Sequence, residues 1–164
     1  MKRIGKVLSV GLASAVCFGC ASNPVVVSPV GPNPAGVADQ SPAGRLQVFS
    51  AVNGHSEGTN PTWYQHTDYD IYDGHGDLVK SVYNKVGYYE MDPRIINLNL
   101  PPGKYMVKAR AEDYPIVKVP VVIESGHVTR VHLDDKWQPG NASATVATVD
   151  LPTGTPVGWS ITGR

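Results

Sequence analysis

Side chains whose type and spacing could do chemistry fall at three places in this chain. A thiol, Cys20, closes an uncharged run that starts at Val7. An aromatic segment, Asn60-Pro61-Thr62-Trp63-Tyr64-Gln65-His66, offers ring faces that can stack on a sugar or anchor a protein partner. Four carboxylates, Asp68, Asp70, Asp73 and Asp77, crowd into one stretch, and carboxylate oxygens are the ligands calcium takes. The last two groups also have plainer readings. Trp63, with Tyr64 beside it, can cap an apolar core. Asp68 and Asp70 can point to solvent from a strand, and Asp73-Gly74 suits a turn without any metal. The acidic run lacks the EF-hand register of alternate Asp, a Gly at the sixth position and a Glu at the twelfth. Calcium at these four residues is therefore the weaker alternative, no metal and no cofactor is expected, and Trp63, Tyr64 and His66 are the candidate ligand-binding residues.

A catalytic set cannot be assembled. The five histidines are His55, His66, His75, His127 and His132, and they form neither a His-x-His nor a His-x-x-x-His pair. His66 and His132 fall on polar strand faces and the other three in turns, where a solvated imidazole is the default. No serine sits in a Gly-x-Ser-x-Gly elbow. The two cysteines, Cys17 and Cys20, end an apolar run, and none follows. This excludes a structural disulfide or a thiolate metal site downstream and leaves no visible nucleophile.

Cys20 has a different chemistry. Lys2, Arg3 and Lys6 precede the uncharged stretch, as in the charged and apolar regions of a signal peptide. The apolar run is too short to cross a bilayer, which takes about 20 residues. Cys17-Phe18-Gly19-Cys20-Ala21-Ser22 resembles a bacterial lipobox, in which small residues precede a cysteine that is lipidated and becomes the new N-terminus. Phe18 is bulkier than the pattern prefers, and Cys17 stands where Leu is commonest. The resemblance implies residues 1–19 as signal peptide and a palmitate-bearing lipoprotein anchored through Cys20. Ala21-Ser22 carries no acidic retention signal, which implies the outer membrane of a Gram-negative-type bacterium, facing periplasm or cell surface. An ordinary signal peptide cut near Ala21, with a soluble product, is the other reading.

The elements that must hold these residues are strands. Residues 20–44 hold Pro24, Pro29, Pro32, Pro34 and Pro42, one charge and no aromatic, and read as a disordered tether. Roughly twenty such residues reach about 60 Å. From residue 45 to 135 the apolar period is two. Leu46, Val48 and Val52 mark a strand, as do Thr67 to Tyr72, Leu78 to Tyr83 and Ile95 to Leu100. Asp73-Gly74-His75-Gly76 turns a hairpin between two of them. Lys104 to Glu112 places Tyr105, Val107, Ala109 and Ala111 on one face and Lys108, Arg110 and Glu112 on the other. Val117 to Ile123 and Thr129 to Asp134 follow, joined by Ser125-Gly126. Seven short strands at spacings of about ten residues argue for an all-β, antiparallel, Ig-like sandwich. Residues 136–164 form a tail with a possible extra hairpin around Pro152-Thr153-Gly154-Thr155.

Leu100-Pro101-Pro102-Gly103-Lys104-Tyr105, Ala109, Tyr114, Val119 to Glu124, Gly126, Val131 and Leu133 together resemble the last strands of transthyretin-like, carboxypeptidase-regulatory-like domains. There a Pro-Gly turn, with Gly103 free to take a positive φ, starts a strand on a buried Tyr. The resemblance implies a seven-stranded prealbumin-like sandwich used as an accessory or binding module. The hydroxyisourate hydrolase of that architecture ends in Tyr-Arg-Gly-Ser. This chain ends Ile161-Thr162-Gly163-Arg164, so that activity is not carried over.

The chain has no formal net charge, and without Lys2, Arg3 and Lys6 it stands at −3, so a nucleic-acid partner is not expected. The function these observations favour is a non-catalytic envelope module that meets the membrane through its lipid and binds a protein or glycan. A structural spacer or assembly component of the envelope is the alternative, and an enzyme has no catalytic set to support it.

Overall fold

Val117, Val119, Val121 and Ile123 stand at every second position and are all buried, because successive side chains of a strand leave on opposite faces. The strand they form is the centre of the fold. The computed structural model describes residues 23–55, 63–84, 95–139 and 146–162, with the backbone alone at His55 and Trp63. The described residues hold strands and no helix. In chain order these are β1 (Val25–Val26), β2 (Val30–Gly31), β3 (Gly44–Phe49), β4 (Val52–His55), β5 (Trp63–His66), β6 (Tyr69–Asp73) and β7 (Leu78–Val82). They continue with β8 (Leu98–Leu100), β9 (Gly103–Ala109), β10 (Val117–Ile123), β11 (Val128–His132), β12 (Thr148–Asp150) and β13 (Pro156–Ser160).

The largest sheet runs β12-β13-β2-β10-β9-β6-β7, with β1 also paired to β10. A second sheet runs β11-β3-β8, and β4 pairs with β5. The inward residues of both larger sheets meet in one apolar cluster. Leu46 and Val48 of β3, Leu98 and Leu100 of β8 and Val131 of β11 join Ile71, Val107, Val119, Val121 and Val157 of the large sheet. This accounts for the register of β9. Val107 and Ala109 are buried while Lys108 is half-buried and Arg110 exposed, and a slip by one residue would bury both charges.

The described structure departs from the sequence expectations in four ways. Residues 20–44 are not a tether throughout. Val25 and Val27 donate backbone N–H groups to Ile116 and Lys118, β1 and β2 run beside β10, and Val27 and Val30 are in the core. Proline lacks the N–H a ladder needs, but the valines between the prolines keep theirs, and a β-branched residue suits a strand. The pairing is also not wholly antiparallel, since β1 and β2 run parallel to β10, and β11 parallel to β3. In addition, the hairpin expected as possible in residues 136–164 is present as β12-β13, but it is part of the domain and not of a tail, since it joins the large sheet through Trp159–Gly31 and Ser160–Val30, with Val157 fully buried.

The fourth difference concerns turns. Gly103 does not take a positive φ, and Tyr105 is only half-buried, its hydroxyl donating back to the Pro101 carbonyl at 2.9 Å. The left-handed conformation falls instead on Gly76 of the β6–β7 turn, on Gly154 and on Gly126. At Gly126, φ is 69° and a Cβ would collide with the Asp39 carbonyl, so only glycine fits there.

Candidate functional site

The outer face of the large sheet is built from β6, β9 and β10 side by side. Because β9 buries Val107 and Ala109, Lys104, Met106, Lys108 and Arg110 take the outer face. Register places Asp70, Lys108 and Lys118 in one row across the three strands, with Tyr72, Met106 and Pro120 in the next. A groove of about 490 Å³ crosses these rows, lined by Tyr72, Met106, Lys108, Lys118 and the turn Asp73 to Gly76. A second hollow of about 210 Å³ shares Lys108 and is bordered by Asp68, Asp70, Arg110 and Pro115.

The charges on this face are not balanced by pairing. Lys108 and Lys118 are direct cross-strand partners, and neither makes a hydrogen bond or ion pair with a described residue. Like charges directly opposed across an antiparallel pair are destabilising. Asp70 lies opposite Lys108 on its other side but is turned toward its own hairpin. Its carboxylate accepts from Ser81 Oγ at 2.6 Å and from the Tyr72 hydroxyl at 3.5 Å. Asp73 is similarly committed. Its Oδ1 accepts from the backbone N–H groups of His75 at 2.8 Å and Asp77 at 3.0 Å, and the N–H bonds of Asp77 and His75 hold its carboxyl below the usual carboxylate range. Arg110 reaches away, with Nη1 donating to Asn53 Oδ1 at 2.8 Å.

The structure separates the residues singled out from the sequence. Cys20 lies outside the described residues, and Trp63 is described by its backbone in β5. Tyr64 is 46% exposed, whereas His66 is buried at 3%, so the two do not share a surface. His66 therefore does not lie on a polar face, because its Nδ1 meets the Ser50 carbonyl inside the fold. Of the carboxylates, Asp68 accepts the Asn84 N–H at 2.7 Å, Asp70 and Asp73 bond as above, and the Asp77 carbonyl accepts the Asp73 N–H. Among the described residues no three His, Cys, Asp or Glu converge as a metal site, so Asp68, Asp70, Asp73 and Asp77 do not form a calcium cage.

No family model, curated protein or solved structure matches the chain. The site is therefore read from its geometry alone.

A second cluster lies at the ends of β3 and β11. Phe49 and His132 are register partners and stack at 4.4 Å between ring centroids. Trp137 stacks on the other face of the His132 interaction at 4.8 Å, and Trp159 meets Trp137 edge-on at 5.2 Å. His66 meets Phe49 edge-on at 6.1 Å. His132 is thus buried, not on a polar face, and its Nε2 has no partner among the described residues. Burial, with the Arg130 charge adding to it, lowers the His132 pKa to about 4. Asp134 is buried with Oδ1 unpartnered, and burial raises its pKa. These rings tie the C-terminal hairpin to the smaller sheet.

Sequence reasoning missed Tyr72, Met106 and Lys118 as groove residues. The alternation of β9 gave Lys108 and Arg110 their outward face, but it could not say which neighbour lay opposite them. The ring cluster joins Phe49, His66, His132, Trp137 and Trp159 from separate parts of the chain, and no local spacing announces it.

Proposed function

We propose that this chain is an outer-membrane lipoprotein, anchored through Cys20, whose domain is a non-catalytic module that binds a partner in the cell envelope. Its two larger sheets, which share one apolar core, are read here as a prealbumin-like sandwich, with β1, β2 and β12-β13 added to the larger sheet. The observation that carries the binding reading is the groove over β6, β9 and β10. Lys108 and Lys118 face each other there, neither ion-paired with a described carboxylate, beside a floor of Tyr72 and Met106. A face serving only as a solvated surface gains nothing from two opposed ammonium groups, whereas a ligand can supply the missing charge.

The anchor is tested by expressing the full chain and its Cys20→Ala variant in a Gram-negative host with labelled palmitate. The parent is expected to take the label and enter the detergent phase, and the variant to do neither, since several acyl chains on one cysteine hold firmly. A Cys20→Ala protein that still partitions quantitatively with detergent refutes the lipoprotein reading.

A further inference from the structure

We infer that the groove over β6, β9 and β10 binds an acidic sugar, a pyranose ring carrying a carboxylate, with Lys108 and Lys118 on the anion and Tyr72 with Met106 under the ring. The inference rests on the binding-module reading and names its ligand class.

Four observations point to that chemistry. The hollow, about 490 Å³, lies within the range of pockets that hold small ligands, about 300–1,000 Å³. Its charged donors are unspent. Lys108 and Lys118 stand opposite each other in register with no described partner, so one carboxylate placed between them would relieve their repulsion and satisfy both. The nearby carboxylates keep their charge but are bonded elsewhere, Asp70 to Ser81 and Tyr72 and Asp73 to two backbone N–H groups, so neither occupies the lysine ammonium groups. Finally, Tyr72 and Met106 are register partners and only half-buried, so a ring and a thioether form the floor beside the cations. An aromatic face with a polar edge suits a ligand that is apolar on one side and hydroxylated around its rim. A bare anion would use the lysines alone, and a flat anionic bilayer would not enter a hollow.

The test uses the full-length protein in neutral detergent, titrated calorimetrically with a galacturonate oligomer, a neutral galactose oligomer, poly-glutamate and vesicles containing anionic lipid. Binding is expected for the galacturonate oligomer, weakening as salt is raised, and at least tenfold weaker or absent for the other three. Lys108→Gln and Lys118→Gln should each weaken it at least fivefold, and Tyr72→Ala about tenfold. Lys80→Gln, on the exposed part of β7 away from the groove, should leave it unchanged. The double Lys108→Gln, Lys118→Gln variant should melt no lower than the parent, since it removes a repulsion, while Lys108→Arg should retain binding. Equal affinity for poly-glutamate or for the anionic vesicles overturns the proposal, as does undiminished binding in the double variant or no binding of galacturonate. Failure here with palmitate labelling intact removes the ligand class and leaves the anchored module standing, whereas failed labelling with binding intact does the reverse.

Discussion

Replacing His132 with Phe should remove most of the acid sensitivity of this fold between pH 7 and pH 5. The imidazole lies between Phe49 and Trp137, buried, with Nε2 unpartnered, so the folded state disfavours the imidazolium and its pKa falls to about 4. The unfolded chain takes up the proton near pH 6.5. The folded pKa is the depressed one, so the stability associated with neutral His132 is complete above about pH 6.5 and is lost as pH falls toward 4. Working the two pKa values through linkage gives a loss of about 2 kcal/mol between pH 7 and pH 5, and about 3 kcal/mol in full. Asp134 acts in the opposite sense, since its raised pKa lets the folded state hold a proton the unfolded chain gives up. It is present in both proteins and cancels in the comparison. A phenyl ring keeps both stacks and removes the unpartnered nitrogen. Urea melts of parent and His132→Phe at both pH values measure the difference directly, and any constant packing cost of the larger ring drops out. A variant that loses as much stability on acidification as the parent refutes the assignment of the proton to His132.

Two further substitutions test the interior. Val30→Ala should cost about 2 kcal/mol, because Val30 is fully buried between β10 and β13, and a stability loss in urea melts below about 0.5 kcal/mol would mean the N-terminal strands are not part of the core. Tyr69→Phe should leave stability unchanged or raise it by up to about 1 kcal/mol, since the Tyr69 hydroxyl is buried without a described partner and burial raises its pKa; a clear loss in thermal melting would show that the hydroxyl is bonded.

How far the sequence could be read depended on the range of the interaction that decides each element. β9 and β10 were legible because strand alternation is local and each strand buries one full face. The β6–β7 hairpin was legible because Asp73 and Gly76 are turn residues for local reasons, side-chain capping and a positive φ. β1 and β2 were not, because a stretch of five prolines satisfies the composition test for disorder, while its valines find their partners on a strand ninety residues later. The same limit hid the groove, whose defining feature is that Lys108 and Lys118 are opposed. Each lysine alone reads as an ordinary solvated charge, and only register, set by the intervening turn and the buried faces, makes them a pair. His66 and His132 failed for the converse reason. Alternation assigned them to polar faces, but the Phe49 ring covers both and the Trp137 ring adds to it at His132.

The placement of β1 changes the geometry the lipoprotein reading implies. A tether of residues 20–44 would let the domain stand about 60 Å from the lipid. With Val25 already paired to Val117, the chain from Cys20 to the sheet is five residues and spans at most about 18 Å. Val26 pairs with Lys118, so one end of the groove lies beside that attachment, and the turn Asp73 to Gly76 lies at its other end. If Cys20 is the anchor, a domain held this closely would sample ligands near the membrane surface, and the acidic sugar proposed for the groove would be one held at that surface or one that diffuses to it. An anchor at Cys20 would, through so short a span, restrict the orientation of β1 and β10 relative to the bilayer more than a long tether, and that would favour capture of a ligand that is itself held at the surface.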